Sequence, residues 1–172
     1  MPLLSHAVQF YQDDTFLIES VSAFIKSGVE EGATPPSRFA ALPRPFTPSL
    51  LETNVRFFDA PTMLSTFMKD DWPSKNGFMR EVGYIVQQAA LKGPVRIFGE
   101  MVALLWAQGH ARAAIRLEEL WNELATEETF SLLCAYPKSA FSDHKEAHLF
   151  QQVCQTHTHV HTSSGAPQPN TP

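Results

Sequence analysis

Apolar and polar side chains alternate along Ala7-Val-Gln-Phe-Tyr11, the two-residue period of a short strand with one buried face. The period then changes. Asp13-Asp14 supplies a helix start, and Phe16, Leu17, Val21, Phe24 and Ile25 recur at helical spacing up to Gly28. Residues 33–49 break the pattern with Pro35, Pro36, Pro43, Pro45 and Pro48, which remove backbone donors and predict a loop. Val55-Arg-Phe-Phe58 reads as a strand, and Pro61 fits the first turn of a helix running to about Met68. Asp70-Asp-Trp-Pro-Ser-Lys-Asn-Gly77 reads as a turn-rich connection, followed by a helix over 78–91 that Gly93-Pro94 stops. A strand over 95–98 precedes a helix from Glu100 to Ala107. Gly109 then separates it from a helix over 111–124 whose apolar face carries Ala114, Ile115, Leu117, Leu120, Trp121 and Leu124. Phe130 to Tyr136 is an apolar strand closed by Pro137, and Asp143 opens a last helix through Cys154. Strands separated by helices predict an α/β chain with a mainly parallel sheet covered by helices.

One turn in this pattern has a chemical reading. The strand Val95-Arg-Ile-Phe98 ends in Gly99, which permits a sharp turn, and Glu100 stands at the positive N-terminus of the next helix. In an open α/β sheet, ligands bind beyond the carboxyl ends of the strands. Glu100 therefore either serves a site or caps a helix. Aromatic residues cluster near the predicted element ends. Most belong to the core, while a few, such as Tyr11, Trp106 and Tyr136, have polar tips suited to an apolar pocket with sparse polar groups. The candidate ligand site is thus Tyr11, Asp13, Arg96 and Glu100 as polar groups, with Phe98 and Trp106 as apolar walls. For Arg96, pairing with a surface acid is the competing role.

Composition narrows the functions. The 172 residues are 44% hydrophobic and 18% charged, which places the chain among folded proteins with a real core. A net charge of -5 without a dense basic run argues against direct nucleic-acid binding. No apolar run is long enough to span a bilayer, and Met1-Pro-Leu-Leu-Ser-His6 lacks the charged start of a signal peptide. A cytoplasmic location follows as the expectation. Cys134 and Cys154 read as reduced thiols, with a disulfide as the alternative state.

Familiar catalytic signatures are missing: there is no phosphate-cradling Gly-x-x-x-x-Gly-Lys-Ser/Thr loop, no Gly-x-Gly-x-x-Gly after a strand and no Gly-x-Ser-x-Gly elbow. The expectation is a protein that is not an enzyme and carries no cofactor. Cys134, inside an apolar strand, reads as inert packing. Glu118 and Glu119 share a helix with Arg112 and Arg116, which reads as a solvated charged face where Arg116 and Glu119 are neighbours. In Cys154-Gln-Thr-His-Thr-His-Val-His161, the residues Cys154, His157 and His159 are metal-ligand candidates. His157, His159 and His161 share one side if the segment is extended, and His6 or His148 completes a set only through tertiary contact. Adventitious metal binding is the competing explanation.

Four ordered segments carry a family resemblance: His6-Ala-Val-Gln-Phe-Tyr-Gln-Asp-Asp14 with Phe16-Leu17, Val95 to Trp106, Ala114-Ile-Arg-Leu-Glu-Glu-Leu-Trp-Asn122, and Phe130-Ser-Leu-Leu-Cys-Ala-Tyr-Pro137. Together they resemble the MEDS domain, the sensory domain named for methanogens, methylotrophs and the dichloromethane-responsive regulator. Cys154-x-x-His157-x-His159 also looks like that family's closing motif, so the resemblance covers most of residues 5–160. It implies a sensory domain with a RecA/KaiC-like three-layer fold lacking the phosphate loop. It also implies association with histidine-kinase or DNA-binding modules and sensing of small, hydrocarbon-derived molecules.

The chain departs from the family pattern after Gly28-Val-Glu-Glu-Gly32, where a strand-helix unit reads as lost or scrambled over 33–54 before Phe57-Phe-Asp-Ala60 resumes it. No output module follows, so a detached sensor acts through a partner chain, unless the chain is a fragment. The domain is expected to occupy residues 1–160, with 161–172 a polar disordered tail. The function expected is a cytoplasmic, bacterial ligand-responsive input domain that binds a small molecule and acts through a partner kinase or transcriptional regulator. The alternatives are a degenerate RecA/KaiC-like nucleotide-binding protein and a metal-responsive switch through Cys154, His157 and His159.

Overall fold

A computed structural model describes residues 5–30, 38–40, 55–142 and 147–162. Its main feature is a six-stranded, wholly parallel sheet in the order β3-β2-β6-β7-β1-β8. The strands are β1 (His6–Tyr11), β2 (Arg38–Ala40), β3 (Val55–Phe57), β6 (Val95–Gly99), β7 (Phe130–Pro137) and β8 (His159–Thr162). The expected α/β class, a mainly parallel sheet with helices around it, is observed. Residues 33–49 are not all loop: Arg38–Ala40 pairs with both β3 and β6, so a strand of the unit read as lost is present inside the sheet. Three residues suffice because extended backbone next to prolines still offers ladder groups wherever no proline stands. β8 runs to Thr162, two residues into the expected tail. The start of the last helix at Asp143 lies outside the described residues, as do 163–172.

Alternation along the central strands separates two layers of helix. Ala7 of β1, Phe98 of β6, and Leu133 and Ala135 of β7 pack under α1 (Asp14–Glu30) against Leu17, Val21 and Ile25. The intervening residues, Val8, Phe10, Val95, Ile97, Phe130, Leu132, Cys134 and Tyr136, face the larger core. That core is covered by α2 (Ala60–Phe67), α4 (Tyr84–Ala90), α5 (Met101–Ala107), α6 (Ala111–Glu127) and α7 (Ala147–Thr156). Helices on both faces of a parallel sheet bury both sides of its strands, which is why β7 reads as one apolar run rather than an alternation.

Local rules account for the boundaries. Asp59 caps α2 by accepting from the Thr62 N–H at 3.0 Å, with Pro61 in the first turn. The connection expected over 70–77 is a hairpin, β4 (Met68–Lys69) against β5 (Trp72–Pro73), turned by Asp70 and Asp71 at φ 50° and 59°. Ser74 then caps α3 (Lys75–Phe78), which continues through a π-helical stretch, Met79–Gly83, into α4, so this helix begins before the expected Phe78. Gly109 adopts φ 84° between α5 and α6, a conformation that favours glycine.

Candidate functional site

The connections after β1 and β6 leave the sheet toward opposite faces, α1 on one side and α5 on the other, with β7 between them. Diverging connections open a crevice beyond the strand tips. A cleft of about 390 Å³ lies there, lined by Tyr11 at the end of β1, Phe58 and Asp59 after β3, Glu100 after β6, Pro137 of β7, and Leu104 on α5. A smaller apolar cavity of about 50 Å³ shares Phe58 and Ala60 with it and extends to Met63, Ile85, Val86 and Trp121.

Glu100 is half-buried at the start of α5, and its side chain makes no capping hydrogen bond. Burial raises its carboxyl from 4.5 to about 7, and the nearby charge of Asp14 adds to the rise. Burial also pushes the Tyr11 phenol up, helped by Glu100 and Asp14. The cleft thus holds an acid able to exchange a proton near neutral pH beside a neutral phenol, an arrangement suited to hydrogen bonding a small molecule. Among the described residues lining it there is no lysine or arginine.

Of the six expected ligand-site residues, only Tyr11 and Glu100 line this cleft. Asp13 is exposed, and its Oδ1 accepts from the Phe16 N–H at 2.9 Å, so it starts α1 while its neighbour Asp14 faces the cleft electrostatically. Arg96 points to the α1 face, donating to the Phe24 carbonyl at 3.2 Å with its guanidinium 5.2 Å from the Phe24 ring. The Phe98 ring packs beneath α1, on the face opposite α5, because its position in β6 has the parity of Arg96, although Phe98 also lines the smaller apolar cavity. Trp106 is buried, donating from Nε1 to the Ala140 carbonyl at 3.1 Å. The four residues outside the cleft therefore serve packing or helix anchoring: strand parity and helix phase turn the side chains of Arg96, Phe98 and Trp106 away, and Asp13 starts α1. Asp59 and Phe58 were the missed members; their place at a strand end preceding a capped helix is the same signal that marked Glu100. Gly99 sits in β6 without a positive φ, and a Cβ there meets open space, so the turn does not depend on glycine.

A second constellation lies inside the larger core. Glu118 is fully buried, contrary to the expected solvated face. It stands four residues after Ala114 and three before Trp121, in the middle of α6's apolar stripe, whereas Arg116, Glu119 and Glu123 occupy the opposite side. Its Oε2 lies 3.0 Å from His6 Nε2, 3.4 Å from His157 Nε2 and 3.2 Å from Cys134 Sγ. Tyr136 donates to its Oε1 at 2.9 Å. Burial alone would raise Glu118, but His157 and His6 overcome it and hold the carboxyl below the usual range. Burial, then Glu118, pushes Cys134 and Tyr136 well up, so Cys134 is protonated in this arrangement, in keeping with an unreactive thiol, although it is more than packing. Both cysteines are free. Of Cys154, His157 and His159, only His157 enters this constellation, where His6 joins it through tertiary contact while His148 does not. Cys154 packs against the apolar core, and His159 is exposed on β8 beside His161, with ring centroids 6.4 Å apart. The helix end at Thr156 breaks the extended alternation, turning His157 inward while His159 belongs to an edge strand.

The three-layer architecture, helices on both faces of a parallel sheet with a cleft at its strand tips, defines an α/β domain. The family model for the methanogen/methylotroph, DcmR sensory domain (MEDS) matches residues 5–158, and the chain belongs to this family of sensory domains. No curated protein and no solved structure matches it. Among the described residues, no helix is long and apolar enough to cross a membrane.

Proposed function

We propose that this domain is a cytoplasmic, non-enzymatic signal-input module that binds a small organic molecule in the strand-tip cleft and relays occupancy to a partner kinase or transcriptional regulator. The observation that carries the reading is Glu100, desolvated beside Tyr11 at the mouth of a largely apolar cleft. The adjoining apolar cavity favours a ligand with a short hydrocarbon part, and the acid favours one with a neutral or cationic hydrogen-bond donor, such as a small alcohol or amine. Ligand contact with Glu100 at the start of α5 shifts the population of arrangements of α5 and α6, whose outer surface then differs toward the partner. Phosphate-bearing ligands fit poorly, because Glu100, Asp59 and nearby Asp14 are acids and no cation lines the cleft among the described residues.

Thermal-shift measurements with short alcohols, amines and nucleotides test this reading. Saturation at about 100-fold above Kd stabilises by about 2.7 kcal/mol. For a chain of this size that corresponds to about 5–10 °C. A rise with an alcohol or amine that is lost in Glu100→Gln supports the proposal. A nucleotide-specific rise abolished by Glu100→Ala overturns it.

A further inference from the structure

We propose that His6, Glu118, Cys134 and His157 form a closed, four-coordinate zinc site that ties β1, α6, β7 and the α7–β8 junction together. This site is separate from the strand-tip cleft and does not depend on the ligand-sensing reading. The four ligand atoms lie within 4.8 Å of one another, and all four residues are buried. Strand parity builds half of the set. His6 shares the face of Val8 and Phe10, Cys134 shares the face of Leu132 and Tyr136, and β1 and β7 are paired so that Val8 is opposite Cys134. His6 and Cys134 are therefore diagonal neighbours, and their Nε2 and Sγ are 3.5 Å apart. Glu118 descends from α6 onto this pair, and His157 closes the fourth side as the chain leaves α7.

The spacings are close to those of a metal tetrahedron. Bonds of about 2.0–2.1 Å to nitrogen or oxygen and about 2.3 Å to sulfur give edges of about 3.3–3.6 Å between ligands. Four of the six separations are 3.0, 3.2, 3.4 and 3.5 Å, at or just below those edges, and the remaining two are no more than 4.8 Å, so a bound ion would draw His157 inward. The outer atoms also orient the imidazoles as a metal requires. Asn122 Nδ2 donates to the Thr156 carbonyl at 2.8 Å, which leaves Oδ1 to accept from His6 Nδ1 at 2.8 Å. The Val153 carbonyl accepts from His157 Nδ1 at 2.6 Å. Both Nδ1 atoms are committed as donors, so both Nε2 atoms aim at the centre. His157 Nε2 has no hydrogen-bond partner there, being 3.4 Å from Glu118 outside bonding geometry. A buried ring nitrogen aimed at a carboxylate, with no hydrogen bond of its own, is oriented as a metal ligand would be. Zinc displaces the Cys134 thiol proton to solvent, and thiolate plus carboxylate balance its two charges in a dry interior. With four protein ligands and no open position, the site is structural.

The test uses the full chain, unfolded with chelator and refolded with zinc or cobalt(II), then desalted. The expected result is one zinc retained per chain, and an X-ray absorption edge reporting one sulfur and three nitrogen or oxygen neighbours. The cobalt form should show a thiolate-to-metal charge-transfer band that disappears in Cys134→Ser and persists in Cys154→Ser. Asn122→Ala, which removes the orienting partner of His6 together with the bond to the Thr156 carbonyl but no ligand atom, should weaken zinc binding about 10–100-fold. If Cys134→Ser does not fold, the wild-type absorption edge decides alone. Absence of retained metal, a metal without a sulfur neighbour, or a band lost with Cys154 instead of Cys134 would each overturn the assignment.

Discussion

Replacing Glu100 with glutamine should stabilise the protein at pH 8 and leave it nearly unchanged at pH 4.5. The folded protein holds this carboxyl at about 7 against 4.5 for a free one, through burial first and the charge of Asp14 second. In the window between those values, the unfolded chain has released the proton while the folded chain keeps it. Stability therefore falls as pH rises from 4.5 through 7 and is level above. At about 1.36 kcal/mol per pH unit, the rise sets an upper bound of about 3 kcal/mol. The cleft admits water, and screening there reduces the expected effect to about 1–2 kcal/mol. Glutamine resembles the protonated acid in shape and never ionises, so it escapes the penalty. Urea unfolding of wild type and Glu100→Gln at pH 4.5, 6 and 8, with m-values checked for equality, measures the difference directly. Groups elsewhere titrate alike in both proteins and cancel. A difference independent of pH, or one that favours wild type more strongly at pH 8, would refute the assignment of a desolvated acid at the strand tip.

Two further outcomes follow from backbone geometry and burial. Gly109→Ala should cost about 1–2 kcal/mol, since φ 84° forces a side chain into the left-handed region, whereas Gly99→Ala, whose Cβ meets open space, should be close to neutral; chemical denaturation of both separates them. Leu117→Ala, fully buried on the inner face of α6, should cost about 2–5 kcal/mol. Arg116→Ala one residue away, which removes contacts to Glu119 and Glu123 at 2.8 and 2.9 Å on the solvent side, should cost less than about 1 kcal/mol by the same assay.

How far the chain could be read in advance varied with the physics involved. The helix over residues 111–127 was legible because its apolar stripe repeats at 3.6 residues per turn, and β7 because a strand buried on both faces is apolar throughout. The hairpin at Asp70-Asp71 was not legible as such, since its turn demands positive φ at residues that serve equally in loops. β2 was obscured by the surrounding prolines: its existence rests on ladder bonds to β3 and β6, which no local pattern records. Glu100 and Tyr11 were found as members of one cleft because both follow from the rule that ligands gather at strand ends. Arg96 and Trp106 were placed there by nearness in sequence, and the phase of strand and helix sent them elsewhere, while Phe98 turns its ring under α1 and lines only the smaller adjoining cavity.

By itself the sequence determined most of the alternation of strands and helices, the apolar stripe of the longer helices, and the strand tip that carries an acid, because these depend on neighbours within a few residues. Only the tertiary structure decided the partners of Glu118. In the sequence it read as part of a solvated face, because a buried charge is tolerable only where opposing groups meet it, and those arrive from His6, Cys134, Tyr136 and His157, between 16 and 112 residues away in the chain. Strand order and register bring these together, and both are properties of the assembled sheet rather than of any segment within it.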